Sequence, residues 1–221
     1  MFPLYDTTRT RVFPLVNLTL IALNALAFFS EIQKTPSALE GFIFQWGLIP
    51  AHLTSDPNGA WTTIFSSMFL HGGWFHIINN MWVLFIFGDN VEARLGKFRY
   101  LMFYLLSGVA AGLLQTYILP SSQIPMIGAS GAIAGVLGAY LILFPRSRIA
   151  SLVPILFIFT LIEVPAFIFL LFWFVSQLYS GWFAIQGGGA SGIAWWAHIG
   201  GFLFGMIAVS FFRRRTTYRG Y

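Results

Sequence analysis

Long apolar runs alternate with short polar segments along the chain, and their length predicts helices rather than strands. A helix needs about 20 apolar residues to cross a bilayer. Six runs can span, and the first, third, fifth and sixth of them reach or approach that length. The six runs are Phe13–Ser30, His76–Gly88, Phe98–Leu119, Ser130–Phe144, Val164–Trp182 and Ile193–Phe212. The second and fourth runs are short, so we expect those helices to lie inside a bundle, where small residues such as Gly131 and Gly135 let backbones approach closely. The pattern predicts an all-α membrane protein with six transmembrane helices.

Charged residues are scarce and are concentrated between the apolar runs. Hydrophobic residues make up 57% of the sequence and charged residues only 9%, whereas soluble domains carry about 25% charged residues. Basic residues accumulate on the cytoplasmic side of membrane proteins. Of the 12 present, all except Lys34 fall on one side of the predicted bundle: Arg9, Arg11, Arg94, Lys97, Arg99, Arg146, Arg148, Arg213, Arg214, Arg215 and Arg219. We therefore expect a chain embedded in the lipid bilayer with both termini cytoplasmic, and no nucleic-acid partner despite a net charge of +5.

The chain shows no low-complexity stretch or Pro/Ser-rich linker that would divide it. We expect residues 1–221 to form a single integral membrane domain. Residues 1–12 would be a cytoplasmic N-terminal tail and residues 213–221 a basic cytoplasmic C-terminal tail. We expect a multi-pass protein of the plasma (inner) membrane of a prokaryote.

Two stretches outside the predicted helices are themselves apolar. Glu31–Gly73 lies on the predicted outer side, and tryptophans, which concentrate at membrane interfaces, recur in it or at its edge: Trp46, Trp61 and Trp74. We predict a large first outer loop that is partly embedded in the membrane. Ile149–Ile162 is broken by Pro154, and we predict that it is a re-entrant or interfacial segment before the fifth helix.

The first apolar run also has features of a secretory signal peptide. Arg9 and Arg11 precede it, and Ala25-Leu26-Ala27 resembles a cleavage site. However, Asn17 and Asn24 are seven residues apart and so share one helix face. Amides on one face favour a helix that packs against neighbouring helices.

Two polar residues inside the apolar runs are candidates for chemistry. Ser130 lies where a predicted helix begins, in a Gly-Ala-Ser-Gly tetrapeptide, and His198 lies inside the last run. Ionisable residues in membrane segments are costly and by default mark function. A nucleophilic serine needs a base within reach and donors for the oxyanion, and backbone N–H groups at a helix start are free to donate. Since no Asp or Glu lies at this depth, we predict a Ser–His dyad rather than a triad.

Counting residues places the polar side chains of three helices at one depth. His76, Ser130 and His198 lie 16, 16 and 15 residues before charged residues at the cytoplasmic helix ends, which are Glu92, Arg146 and Arg213. At 1.5 Å per residue, all three lie roughly 22–24 Å above the inner membrane boundary. That position is about 6–8 Å below the outer boundary of a ~30 Å hydrocarbon core.

His76 and Asn80 are candidates for the oxyanion donors. They are four residues apart and so share one helix face. An imidazole and an amide that point at one spot suit an oxyanion hole, together with the Ser130 backbone N–H. His71 lies five residues before His76, near the loop, and could help to keep the cavity hydrated.

Each candidate has a plainer interpretation. The Gly-Ala-Ser-Gly tetrapeptide around Ser130 is also a helix-packing motif, and His198 could simply bridge two helices. His71 and His76 could bind a metal ion, but no carboxylate or cysteine is nearby to complete a ligand shell. The chain has no cysteine at all, and we expect no metal and no cofactor.

A second Gly-Ala-Ser-Gly tetrapeptide ends just before the last run. Its serine, Ser191, lies seven residues before His198. On one helix that separation is about 10 Å, which is beyond a hydrogen bond. Ser130 is therefore the better candidate for the nucleophile.

Four motifs follow one another along nearly the whole chain. They are His71-xxxx-His76-xxx-Asn80, Glu92-xxx-Gly96, Gly128-Ala129-Ser130-Gly131 and Ala197-His198-xx-Gly201-xxx-Gly205. In this order and spacing they resemble the rhomboid family of intramembrane serine proteases. Each motif alone is weak, but the set is specific.

The resemblance implies a six-helix core and an activity. Ser130 would be the nucleophile, His198 the general base, and His76, Asn80 and the Ser130 backbone N–H the oxyanion hole. His71, Gly128, Gly131 and Gly201 would support these groups. The resemblance also implies that the partners are transmembrane protein substrates, cleaved near the outer face; it leaves the oligomeric state open. Either the fifth helix, with its many bulky aromatic residues, or the loop Gln186–Gly192 would admit the substrate.

Two positions depart from the family pattern. Trp61-Thr62 stands where the family often has Trp-Arg, which concerns the anchoring of the outer loop. Ala134 stands where some members carry an aromatic residue that stacks on the histidine, so His198 must be oriented in another way.

Two alternatives to an active protease remain. A non-catalytic rhomboid-like protein would bind transmembrane clients, but retention of Ser130, His198, His76 and Asn80 together favours the protease. A transporter or channel would carry paired charges or broken helices near the membrane midplane and internal repeats, and the sequence has none of these features.

Overall fold

The structure is a computed structural model that describes residues 2–8, 10–155, 158–187 and 192–213. The chain in these ranges is mostly helical, with one small sheet. In chain order the elements are β1 (Phe2–Asp6), α1 (Leu15–Glu31), α2 (Pro36–Trp46), α3 (Pro50–Ser55), α4 (Pro57–Ala60), α5 (Thr63–Ser66), a 3-10 turn (Ser67–Phe69), α6 (Trp74–Leu95), α7 (Lys97–Ile118), α8 (Ser130–Leu143), β2 (Arg148–Ile155), β3 (Ile158–Pro165), α9 (Ala166–Gln186) and α10 (Trp195–Phe212).

Each of the six predicted apolar runs overlaps one helix: α1, α6, α7, α8, α9 and α10. Among the described residues, α7, α9 and α10 are long and apolar enough to cross a membrane, and α1 and α8 are shorter apolar helices. The 14 residues of α8 span only about 21 Å. Residues 131–140 of α8 are all buried, with α10, α7 and α6 packed around them. The prediction that the fourth helix lies inside the bundle is confirmed.

Buried polar side chains join α1 to the other helices. The Glu92 carboxylate accepts the backbone N–H groups of Val16, at 3.1 Å, and Asn17, at 2.7 Å, at the helix end where such groups have no partner within the helix. The Asn17 side chain accepts the Tyr100 hydroxyl at 2.7 Å. Both Asn17 and Asn24 are fully buried. The predicted packing of the first helix through its amides is confirmed.

The predicted first outer loop folds into the short helices α2–α5, and prolines set where three of them begin. Proline begins α2, α3 and α4, at the position where the missing N–H has no helical partner in any case. Below them a satellite apolar cluster packs on α7 and consists of Leu48, Leu53, Ala60, Ile64 and Met68. The loop is therefore a packed cap over one side of the bundle.

The expectation of an all-α fold is wrong, because the described residues include a small three-stranded sheet. The predicted re-entrant or interfacial stretch forms the antiparallel hairpin β2–β3, with Ala150 opposite Glu163. Part of the predicted N-terminal tail forms β1, which pairs antiparallel with β2 so that Phe2 lies opposite Leu152. The apolar residues of this stretch satisfy their backbone groups through a three-stranded ladder instead of a helix.

Candidate active site

Ser130 and His198 lie opposite each other on α8 and α10. Ser130 is the first residue of α8, and His198 lies in the first turn of α10. His198 Nε2 lies 2.8 Å from Ser130 Oγ, which is a hydrogen-bond distance. A base needs this reach to take a hydroxyl proton. The structure brings the two predicted residues together.

The two helices approach closely because glycines face backbone across their contact. A Cβ at Gly201 would run into the carbonyl oxygen of Gly131, and a Cβ at Gly205 into that of Gly135. Backbone atoms cannot move aside as the end of a flexible side chain can. The glycine spacing predicted to pack helices in lipid therefore sets the distance between α8 and α10, and with it the contact of Ser130 with His198.

His76 and Asn80 on α6 face Gly128, two residues before Ser130. Gly128 has a φ of 122°, which favours glycine, and a Cβ there would lie 2.7 Å from His76 Nε2 and 3.5 Å from Asn80 Nδ2. His76 Nδ1 accepts the Gly72 N–H at 3.3 Å, so the other nitrogen, Nε2, carries the proton of a neutral ring. Asn80 Nδ2 is buried and has no hydrogen-bond partner among the described residues. Two side-chain donors therefore lie beside the start of α8.

A cavity of about 570 Å³ connects these groups. All four predicted side chains line it: Ser130, His198, His76 and Asn80. The rest of the wall is mostly apolar and comes chiefly from α6, α8, α9 and α10, with Phe2 and Pro3 of β1. A hydroxyl, an imidazole and two donors in one largely apolar cavity can carry out acyl transfer, because electrostatic interactions are strong where water is excluded.

The ring of His198 also contacts α9. Gln177 Oε1 lies 2.8 Å from His198 Nδ1. The Trp173 ring lies 6.0 Å from the imidazole, and the Trp195 ring meets it edge-on at 6.1 Å. Ala134 provides no aromatic ring, so these contacts orient the imidazole instead. Gln177 was not among the predicted site residues, although an amide in an otherwise apolar run is a signal of a buried partner.

His71 lies behind His76 and does not line the cavity. The two imidazole rings are 5.0 Å apart and meet edge to face. The His71 backbone N–H donates to the Glu31 carboxylate at 3.1 Å, which ties the turn before α6 to the end of α1. The predicted role of His71 in hydrating the cavity stays a prediction, and in the structure its ring contacts the ring of His76.

Gln115 on α7 was also absent from the prediction. Its side-chain oxygen accepts the backbone N–H of Ala197 at 3.2 Å. The same N–H also donates to the Ala194 carbonyl at 3.0 Å, so Gln115 adds a second acceptor at the start of α10. Gln115 therefore fixes the end of the helix that carries His198.

Residues 58–215 match the family model of the Rhomboid domain, and this stretch contains every side chain of the dyad and of the two donors. The chain belongs to the rhomboid family. Family membership and the long apolar helices identify an integral membrane protein.

Curated relatives of this rhomboid-family chain include proteins of bacteria and plants. The protein YdcA of Bacillus subtilis (strain 168) is 38% identical over 84 residues, which are 38% of this chain and 42% of YdcA. Rhomboid-like protein 11, chloroplastic, of Arabidopsis thaliana is 38% identical over 76 residues, 34% of this chain and 27% of the plant protein. Rhomboid protease AarA of Providencia stuartii is 30% identical over 145 residues, 58% of this chain and 50% of AarA. The chain thus spans half or less of the length of these relatives.

Some predictions for this rhomboid-family chain fall outside the part that the structure describes. Ser191 and most of the loop Gln186–Gly192 belong to residues 188–191, which are not described. The same holds for residues 214–221 of the predicted C-terminal tail. The choice of Ser130 over Ser191 therefore rests on the contact of Ser130 with His198.

Proposed function

We propose that this rhomboid-family chain is an intramembrane serine endopeptidase that cleaves transmembrane segments of other membrane proteins. The observation that carries the proposal is the 2.8 Å contact between Ser130 Oγ and His198 Nε2 in a cavity that also holds donors for an oxyanion. The relatives include one named a rhomboid protease, AarA. The substrates are transmembrane segments because the cavity lies among the long apolar helices.

In the acylation step, Ser130 Oγ attacks the carbonyl carbon of the scissile peptide bond. The hydroxyl proton passes to His198 Nε2 as the new C–O bond forms. The tetrahedral intermediate then collapses, the C–N bond breaks, and the leaving amine takes the proton from His198. The product is an acyl ester on Ser130, and one half of the substrate is free to leave.

The negative oxygen of the intermediate needs donors that are already in place. His76 Nε2–H and Asn80 Nδ2 lie beside Gly128, and the Ser130 backbone N–H lies in the first turn of α8. The positive end of the α8 dipole adds to their effect. Removal of one such donor typically costs about 100- to 1,000-fold in kcat.

The deacylation step uses the same groups, with water in the place of the Ser130 hydroxyl. A water molecule in the cavity gives a proton to His198 Nε2 while its oxygen attacks the ester. Collapse of the second intermediate releases the carboxyl product and returns the proton to Ser130 Oγ. His198 therefore acts as base and then acid in each half-reaction.

The proposal also covers the number of transmembrane helices and their orientation in the membrane. We assign six transmembrane helices to α1, α6, α7, α8, α9 and α10, with both termini cytoplasmic and residues 1–221 in a single domain. The small sheet β1–β2–β3 then lies at the cytoplasmic side, and the loop of α2–α5 at the outer side. We place the protein in the plasma membrane of a prokaryote. The distribution of the basic residues supports this orientation.

The experiment is cleavage of a reporter transmembrane helix by the full chain in liposomes, with labelling by a fluorophosphonate probe as a second measurement. We expect Ser130→Ala and His198→Ala each to abolish cleavage, and the probe to modify Ser130. Modification of Ser191 instead, or no modification of a well-folded protein, would overturn the mechanism.

A non-catalytic role in binding transmembrane clients is the second candidate. Some relatives are named only rhomboid-like, such as Rhomboid-like protein 11 of Arabidopsis thaliana. This role predicts that a reporter helix binds to the chain in liposomes without being cleaved and that Ser130→Ala leaves binding unchanged. Cleavage that depends on Ser130 would exclude it.

A further inference from the structure

A chain of hydrogen bonds runs from the backbone of α9 to the ring of His198. The Ser176 hydroxyl donates to the Trp173 carbonyl at 2.6 Å. Gln177 Nε2 donates to Ser176 Oγ at 3.0 Å, and Gln177 Oε1 lies 2.8 Å from His198 Nδ1. The last link joins His198 Nε2 to Ser130 Oγ at 2.8 Å.

The direction of this chain is fixed at its α9 end. A backbone carbonyl can only accept, so the Ser176 hydroxyl must use its single proton on Trp173. Ser176 Oγ is then left to accept, and the partner that donates to it must be the amide nitrogen of Gln177. The oxygen of the amide therefore faces His198. The orientation of this amide follows from the network and not from the shape of the side chain.

The orientation of the amide decides the tautomer of His198. An amide oxygen can only accept, so Nδ1 must carry the ring proton of the neutral imidazole. Nε2 then has a free lone pair that points at Ser130 Oγ. This is the tautomer that can take the serine proton. The opposite tautomer would present an N–H to Ser130 and could not act as the base.

Burial makes the amide an effective partner. Gln177 is only 7% exposed, although most of α9 is exposed. A hydrogen bond inside an apolar protein interior is stronger than in water. A neutral amide also avoids the desolvation cost of placing a carboxylate at this depth.

We propose that Gln177 is a positioning residue of the proposed protease: its side-chain oxygen holds His198 in the base tautomer, in the place where a soluble serine protease uses a carboxylate. This role rests on the proposed function, because it matters only if His198 takes the Ser130 proton. It gives the dyad a third, uncharged member that lies on a different helix.

The test compares Gln177→Met with Gln177→Glu in the full chain in detergent micelles. Methionine keeps the length and bulk of the side chain but removes the acceptor, whereas glutamate keeps an acceptor. The measurement is the rate at which a fluorophosphonate probe labels Ser130. Leu178→Met, on the exposed side of the same helix, is the matched control for the new side chain.

We expect Gln177→Met to slow labelling about tenfold or more, which corresponds to the loss of one hydrogen bond in a buried setting, while Leu178→Met leaves the rate unchanged. We expect Gln177→Glu to recover much of the rate. Its pH profile should also move to higher pH, because a negative charge favours the protonated ring. The other titratable group described near the ring is His76 on α6, and it is unchanged in both variants.

The outcomes separate this role from the proposed function. If the unchanged protein is not labelled at Ser130, the proposed function fails and this role fails with it. If the unchanged protein is labelled and a folded Gln177→Met variant is labelled equally fast, only the role of Gln177 is overturned. If Gln177→Met does not fold, Gln177→Glu decides the question: labelling with an unshifted pH profile overturns the proposal.

Discussion

Helices α8 and α9 both pack against α10, but they do so through different groups. Ten consecutive residues of α8, from Gly131 to Tyr140, are buried, and glycine meets backbone across the contact with α10. In contrast, only five of the 21 residues of α9 are buried. It is held to α10 by aromatic side chains, such as the stacked pair Phe174 and Phe202 at 4.7 Å.

This difference means that one pair of helices sets the distance between Ser130 and His198, while a third helix supplies the group that orients the His198 ring. Backbone contacts between glycines cannot relax, so the distance between Ser130 and His198 is set by helices that have one way to pack. Gln177 comes from a helix that is held by side chains, and side-chain contacts can loosen. If α9 moves to admit a substrate, the serine and histidine stay in place, while the acceptor on His198 moves with α9.

The largest expected effect comes from breaking the contact of α8 with α10. In Gly205→Val the added atoms would meet the backbone of Gly135, and overpacking of a tight contact costs about 1–3 kcal/mol or more. We expect more than about a 100-fold loss of Ser130 labelling, because a small misplacement of catalytic groups is enough to cause it. Gly41→Ala is the control, since a Cβ at Gly41 meets nothing within 4 Å. Equal labelling of the two variants would contradict the rigid contact.

The next largest effect concerns Asn80, one of the two side-chain donors that lie beside the start of α8. We expect Asn80→Ala to lower kcat for reporter cleavage about 100- to 1,000-fold with little change in KM, as removal of an oxyanion donor does. Asn79→Ala is the control, because the Asn79 amide is already bonded to the Phe75 carbonyl of its own helix at 2.8 Å. We expect it to cause a much smaller loss. A rise in KM alone for Asn80→Ala would assign that residue to substrate binding.

A smaller effect is expected for the contact of α9 with α10. It concerns the local opening of α9 and not the reaction at Ser130. Phe174→Ala removes the ring that stacks on Phe202, and such pairs contribute about 0.5–1.5 kcal/mol. We expect amide hydrogen exchange in α9 to become about three- to tenfold faster, while α8 is unchanged. Phe172→Ala is the control, since the Phe172 side chain is 63% exposed. Equal acceleration in α8 would show that the two regions open together.

The helices and the contact of Ser130 with His198 could be predicted because their signals are local in the sequence. Apolar runs define the helices, glycine spacing defines a close contact, and counting along the helices put Ser130 and His198 at one depth. The sheet could not be predicted in this way. β2 and β3 together form one apolar stretch of helix-like length that contains Pro154, and β1 joins them from a segment more than 140 residues away in the chain. Only tertiary pairing distinguishes this ladder from an interfacial helix.

The contact of Gln177 with His198 also could not be predicted from the sequence. An amide in an apolar run signals that some partner exists, as it did for Asn17 and Asn24. The signal does not say which partner, because the choice depends on how α9 turns its faces toward α10. The replacement of the family's aromatic residue by Ala134 indicated that another group orients His198, but the group itself became visible only in three dimensions.

The smallest expected effect lies near the C-terminal end of α8, where Asp6 of β1 accepts hydrogen bonds from the Tyr140 hydroxyl and from Asn90 Nδ2, the latter at 3.0 Å. Burial raises the pKa of Asp6 from the ordinary value of 3.8 to about 6, and the nearby Asp89 carboxyl adds to the rise, while the bond from Tyr140 opposes it. The folded protein therefore binds a proton that the unfolded chain has already released. The stabilisation is complete below about pH 4 and is lost as the pH rises to about 6.

We expect Tm in detergent to fall by a few degrees between pH 4 and pH 6.5, and the fall to become clearly smaller in Asp6→Asn, because asparagine cannot ionise and still accepts the Tyr140 hydroxyl. The neighbouring Asp89 carboxyl keeps part of the fall. The effect is small because Asp6 is only partly buried, so water screens its charge. Glu40→Gln, at an exposed position on α2, is the control and should keep the fall. Thermal unfolding followed by tryptophan fluorescence measures it. If Asp6→Asn retains the whole fall, the attachment of β1 to α8 does not depend on this carboxyl, and the pH dependence belongs to the bundle itself.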